Sequence, residues 1–337
     1  MTDSFLELSA TERRDALQIV ADASGRPAHL LEKDVWVVWA LETMFAAPFG
    51  SHLVFKGGTS LSKAYGVIRR FSEDVDLTHD IRVIAADLVA DSADALPPTR
   101  SQEKKWSKEI QSRLAAWVKD QALPVIADAL AAVNLPAHAS ADADKIHIEY
   151  DPLATGTGYV RPAVMLEFGA RATGEPWEVL PVEADAAPHL RQLAFPVARP
   201  QVMRAERTFW EKATAIHVFC AQGRFRGVER FARHWHDVAR LGESGHAARA
   251  IADADIARAV ARHKAAFFPE KAIGGDVIDY EAAVSGGLQL VPDGAALALL
   301  ADDYRRMVED GLLLDDAETF ERLIEKCRMI EEQANRR

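Results

Sequence analysis

The stretch from His52 to Thr78 constrains this chain more than any other. A strand-like run, His52-Leu53-Val54-Phe55, meets Lys56-Gly57-Gly58-Thr59-Ser60; a second strand, Val75–Thr78, follows Arg69-Arg70-Phe71-Ser72-Glu73-Asp74. Two glycines between an apolar strand and the helix-compatible Leu61–Tyr65 predict a tight turn with free backbone amides. Side chains alternate along a strand, so Asp74 and Asp76 are expected on one face and Val75 on the other. Like charges on one face repel, and a sheet tolerates them when a cation sits between them. Oxygen-only ligands suit Mg2+ or Mn2+. The amides and the Ser60 hydroxyl suit phosphate oxygens. Alone, an Asp-x-Asp at a strand end reads as a solvated turn, and a Gly-Gly pair says less still. Joined by a helix-length linker, the two imply phosphoryl or nucleotidyl transfer.

The remaining pattern frames this block. With 337 residues the chain has the length of about two domains and can bury a large core without staples. Two cysteines, Cys220 and Cys327, exclude a disulfide-rich scaffold, and the expected compartment is the cytoplasm. The N-terminal residues carry early acids and no apolar signal core, and no run approaches a membrane span. Ser9 with Glu12 predicts a capping box for a first helix, and 27–45 a second. Residues 81–92 and 101–133 read as helical, 134–144 as an Ala/Asp-rich loop, and Lys145–Tyr150 and Ala163–Ala170 as strands around a glycine-rich hairpin loop. Beyond about residue 200 the chain reads as helices, at 203–221, 227–241 and from about 316. This order predicts an α+β or α/β domain over 1–200 and a helical domain over 201–337.

The block GGTSLSKAYGVIRRFSEDVDL, residues 57–77, closely resembles the signature of the AbiEii/AbiGii toxin family, which includes the MenT-like toxins. Three more elements are similar and stand in the family's order: Glu32-Lys33-Asp34-Val35-Trp36, Glu211-Lys212, and Arg233-His234-Trp235-His236-Asp237. The resemblance implies an α+β fold with a DNA polymerase β-like nucleotidyltransferase core, a mixed sheet flanked by helices. It implies that Asp74 and Asp76 are catalytic and bind metal, with Glu167 the candidate third carboxylate. Lys56, Gly57, Gly58, Thr59 and Ser60 would bind the nucleotide; which hydroxyl, Thr59 or Ser60, meets phosphate stays open. Lys212 would neutralise a phosphate and Asp237 would be a further active-site acid, both supplied by the helical domain. Arg69 or Arg70 would reach the triphosphate.

Each assignment has an ordinary alternative. Glu167 reads equally as an exposed strand glutamate, and Lys212 as a surface lysine. Asp237 lies one helical turn from Arg233 and reads as its partner. His234 and His236, two apart on a helix, face different ways and do not suggest zinc.

The implied activity transfers NMP from an NTP to an acceptor, with Mg2+ or Mn2+ as cofactor and pyrophosphate leaving. The acceptor implied for some members is the 3′ end of tRNA, and the partner is a cognate antitoxin encoded nearby. Transfer to a protein or small molecule, and NTP binding without transfer, are the competing readings; a metal-dependent phosphohydrolase is a weaker one. Net charge is −11, which argues against coating nucleic acid by charge. That total is uneven: residues 199–240 hold nine basic and four acidic residues, whereas 241–337 hold 12 basic and 19 acidic. A local cationic pocket is compatible with that. Residues 104–119 add Lys104, Lys105, Lys108, Arg113 and Lys119 around Trp106 and Trp117, either an RNA contact or an amphipathic helix with core tryptophans.

Overall fold

The computed structural model describes every residue except 1–2, 71–73, 134, 155–160, 224–229, 310, 312, 314–316 and 337. The chain packs as two compact units, one of Met1–Ala64, Glu73–Leu88 and Lys108–Val202, the other of Tyr65–Ser72, Val89–Ser107 and Met203–Arg337.

The first unit is built on a mixed seven-stranded sheet. Its strands are β1 (Leu53–Lys56), β2 (Asp74–His79), β3 (Ala137–Asp142), β4 (Lys145–Tyr150), β5 (Ala163–Gly169), β6 (Trp177–Val179) and β7 (Gln201–Met203), in the spatial order β3-β4-β5-β2-β1-β7-β6. Strand β2 runs antiparallel to β1 and parallel to β5. Strand β5 alternates strictly, with Val164, Leu166 and Phe168 buried and the residues between them half-buried. That is the pattern of a strand with one face on the core. Helices α1 (Ala10–Ser24), α2 (Ala28–Ala46) and α3 (Gly57–Lys63) belong to the same unit. The expected capping box closes α1: Ser9 accepts from the Glu12 amide and Glu12 from the Ser9 amide. The fold class is therefore the α+β one, with a mixed sheet and flanking helices.

Several elements depart from the sequence pattern. Helix α3 begins at Gly57, not at Leu61, so the two glycines form its first turn. The expected loop at 134–144 contains edge strand β3, whose alanines and polar residues are poor strand formers held by the register with β4. The expected helix over 81–92 is two short turns, Ile81–Ile84 and Ala86–Val89. The long helix expected over 101–133 is α4 (Arg100–Trp117), a π-helical turn Val118–Ala122, and α5 (Leu123–Val133). Pro124 lacks an amide donor, and the wide turn immediately before it absorbs the missing bond.

The second unit is helical: α6 (Ala205–Gln222), α7 (Ala232–Glu243), α8 (His246–Ala252), α9 (Ala254–Phe267), α10 (Tyr280–Val284), α11 (Gly294–Glu309) and α12 (Phe320–Asn335). Trp210 and Trp235 are its buried centre; their indole N–H groups donate to the carbonyls of Ala250 (3.0 Å) and Leu290 (2.6 Å). Each satisfies its one buried donor, as a core tryptophan must. Among the described residues no helix is long and apolar enough to cross a membrane.

Candidate active site

The two aspartates sit on β2 as the alternation predicts. Val75 and Leu77 are fully buried, whereas Asp74 and Asp76 are half-buried on the opposite face. The registers extend this face sideways. Asp76 pairs with Lys56 across β1 and with Glu167 across β5, and Glu167 pairs in turn with Lys145 across β4. Residues in register share a face, so Lys56, Asp76, Glu167 and Lys145 form one crosswise row. Asp74 shares that face two residues along, opposite Met165. Glu167 is thus a close neighbour of the aspartates, and its carboxylate lies 3.1 Å from Lys145 Nζ. That hydrogen bond, ahead of the cost of burial, raises the Lys145 pKa. No motif marks Lys145; the signal for it is the hairpin register of β4 with β5.

The oxygen-only donor set of Asp74, Asp76 and Glu167 has the chemistry of a magnesium or manganese site. Among the described residues, however, no three His, Cys, Asp or Glu side chains converge closely enough to hold an ion. The Glu167 carboxylate is engaged by Lys145.

Gly57 and Gly58 open helix α3 immediately after Lys56 of this row. Gly57 has φ +79°, and a Cβ built there would lie 2.0 Å from Asp76 Oδ2. Only glycine lets the helix start this close to the carboxylate. Thr59 and Ser60 are both buried. The Thr59 hydroxyl donates to the Asp74 carbonyl, tying α3 to β2, and the Ser60 hydroxyl donates to the Gly57 carbonyl at 2.9 Å. Both hydroxyl protons are therefore committed to backbone. Ser60 has no exposed surface, and Ser72 lies outside the described residues.

Lys212, Asp237 and Arg70 meet within the second unit. Asp237 is fully buried; its Oδ1 accepts from Arg70 Nε at 2.7 Å and its Oδ2 from Arg70 Nη2 at 2.8 Å. Lys212 Nζ lies 2.9 Å from the same Oδ2. Burial alone would raise the Asp237 pKa, but the charges of Arg70 and then Lys212 hold it well below the usual carboxylate range. Asp237 is thus partnered by Arg70 from 167 residues away, a pairing that helix spacing does not reveal. Arg70 spends a bidentate edge of its guanidinium on this carboxylate, whereas Arg69 is exposed.

Several of the cations in 199–240 are engaged by acids of the same protein. Arg204 pairs with Glu206, Arg207 with Glu211, and Arg240 with Glu243 and Glu318. Trp106 and Trp117 are buried, which makes them core residues of an amphipathic helix rather than stacking platforms. Lys104, Lys105 and Lys108 are exposed on α4.

MenT4, a nucleotidyltransferase toxin from Mycobacterium tuberculosis H37Rv, is similar at 17% identity over 97% of this chain and 98% of that one, with a TM-score of 0.40. No curated protein matches the chain. The family profile described as "Nucleotidyl transferase AbiEii toxin, Type IV TA system" matches residues 39–326. That span takes in the glycine pair, both aspartates, Glu167, Lys212 and Asp237, and the chain belongs to the AbiEii family of nucleotidyltransferase toxins of type IV toxin–antitoxin systems.

Proposed function

We propose that this chain transfers NMP from an NTP to the 3′ end of tRNA and thereby stops growth, with a divalent cation at Asp74, Asp76 and Glu167. The observation that carries the reading is the row Lys56–Asp76–Glu167–Lys145, with Asp74 on the same face. Two adjacent carboxylates flanked by two lysines form a short electrostatic strip suited to a cation and a polyanion together.

In this reading Asp74, Asp76 and Glu167 hold the cation, which supplies charge neutralisation and lowers the pKa of the attacking hydroxyl. Lys145 is the group Glu167 leaves when it turns to its ligand role. Gly57 gives Asp76 room, and the backbone amides of Gly57 and Gly58 face phosphate oxygens. An acceptor oxygen forms a bond to the α-phosphorus, the bond to the bridging oxygen breaks, and pyrophosphate leaves. The acceptor hydroxyl gives up its proton to water. Lys212 neutralises phosphate charge, and Asp237 positions Lys212 rather than acting as an acid, because it is already the shared partner of two cations. Arg69, the exposed one of the two arginines, reaches the triphosphate. Exposed Lys104, Lys105 and Lys108 offer RNA phosphates a contact. A cognate antitoxin restrains the enzyme in the cell.

The test is incubation with each radiolabelled NTP, Mg2+ or Mn2+, and total RNA. Label on tRNA is the expected result. Label on protein or on a small molecule overturns the acceptor assignment, and binding without covalent label overturns the transfer itself.

A further inference from the structure

The three charged residues Glu32-Lys33-Asp34 lie in the second turn of α2, a largely apolar helix. Glu32 and Lys33 are each 3% exposed. Buried charges on a core helix are costly unless each is partnered, so their partners say what they are for. Partners of all three lie in the first unit, on the end of α3, at Asp185 and on the connection from β4 to β5.

Asp34 reaches the helix that carries the glycine pair. Its Oδ1 lies 2.6 Å from Lys63 Nζ, on the last residue of α3, and its Oδ2 accepts the Asp185 amide at 2.6 Å. Lys63 also meets Asp185 Oδ1 at 2.7 Å, and Arg26 pairs with the other oxygen of Asp185. Two carboxylates and two cations thus balance around the end of α3. Glu32 takes the Leu153 amide on both carboxylate oxygens, at 3.1 and 3.0 Å, while Lys33 Nζ donates to the Arg161 carbonyl at 3.3 Å. Leu153 and Arg161 lie on the connection from β4 to β5, the strand that bears Glu167.

The other end of α3 closes the chain of contacts. Gly57 touches Asp76, and Thr59 is bonded to the Asp74 carbonyl. A seven-residue helix is thereby fixed at one end by Asp34 and at the other against both aspartates.

We infer that Glu32-Lys33-Asp34 is a positioning clamp for the carboxylate row, with Asp34 setting the helix that packs on Asp74 and Asp76, and Glu32 and Lys33 setting the strand that carries Glu167. The inference rests on the proposed nucleotidyl transfer. Lys63 in this account is an internal anchor and not a phosphate ligand, although it lies in the same block as the glycine pair.

The test is a double-substitution cycle on the full chain with Asp34→Asn and Lys63→Met. Asparagine keeps the acceptor for the Asp185 amide and removes the charge that holds Lys63. Three quantities are read: kcat, the Mg2+ concentration for half-maximal rate, and amide exchange across 57–63. Expected for each single variant are a fall in kcat of about 10-fold, a rise in the half-saturating Mg2+ concentration of about 10-fold, and faster exchange at 57–63. The double variant should lose less than the sum of the two singles, since both remove the Asp34–Lys63 pair. Asp34→Glu should restore part of the rate. Additive losses in the double variant, or Lys63→Met raising only KM for NTP, would make Lys63 a substrate ligand and overturn the clamp. Unchanged exchange and rate in Asp34→Asn would overturn it too. If wild-type protein labels no acceptor, the transfer reading fails, and exchange at 57–63 in Asp34→Asn still decides the clamp.

Discussion

Asp76 and Glu167 stand directly opposite each other on adjacent parallel strands, and Lys56 and Lys145 close the row on either side. Ninety-one positions separate the two carboxylates in sequence, yet the register leaves them on one face of the sheet. Most of the chemistry proposed for this family member follows from that juxtaposition, and it makes the surrounding residues testable one at a time.

Gly57 is the first of these. Its φ of +79° and the 2.0 Å approach of Asp76 Oδ2 leave no room for a methyl group. Gly57→Ala must either push Asp76 aside or shift the start of α3, beyond the backbone cost of about 1–2 kcal/mol for a left-handed non-glycine residue. Transfer is expected to fall at least about 100-fold, with a drop in Tm of only a few degrees. Initial rates and a thermal melt check this; wild-type rates in Gly57→Ala would contradict it.

Glu32 makes stability depend on pH. Burial pushes its pKa up from 4.5 to about 7, although the Leu153 and Ala154 amides and the arginines at 13 and 14 pull it down. A carboxyl with a raised folded pKa binds its proton more tightly in the folded state. Its contribution is therefore full below about pH 4.5 and is lost as pH rises through about 7. The difference corresponds to about 3 kcal/mol at most. In Glu32→Gln, which keeps an acceptor for the Leu153 amide, the fall in stability between about pH 5 and 7.5 should flatten. Urea titrations across that range give the comparison, and an unchanged slope would show that Glu32 does not titrate there.

The Asp237 centre behaves in the opposite sense. Its folded pKa is depressed, so its stabilisation is present above the ordinary carboxylate range and is lost as pH falls toward the depressed value. Asp237→Asn removes the buried carboxylate that both Arg70 and Lys212 engage and should cost about 3–5 kcal/mol. Combining it with Lys212→Met should cost less than the sum, because both changes remove the Lys212–Asp237 pair. Denaturant midpoints of the two singles and the double measure this; strict additivity would show that the two side chains are not coupled.

The parts legible in the sequence share one property: their signal is local. Alternation placed Asp74 and Asp76 on one face of β2, and Ser9 with Glu12 announced the cap of α1. What escaped depends on distant pairing. The glycine pair that reads as a turn is the start of a helix, and Gly57 packs there against Asp76. Edge strand β3 exists because β4 pairs with it, against the propensity of its alanines. The partners of Asp237 and Asp34 lie 167 and 29 positions away, at Arg70 and Lys63. Charges buried on apolar helices, as at Glu32–Asp34 and Lys212, were the visible hint that such partners had to exist.

The carboxylate row is tested most directly by single-turnover transfer of labelled NMP to tRNA, comparing wild type with Asp76→Asn, Glu167→Gln and Lys145→Met across a Mg2+ titration. The account predicts no detectable transfer by Asp76→Asn. For Glu167→Gln it predicts a rate reduced at least about 100-fold with a raised Mg2+ requirement. Lys145→Met should retain transfer, since it frees Glu167. Label transferred by Asp76→Asn at the wild-type rate would contradict the account.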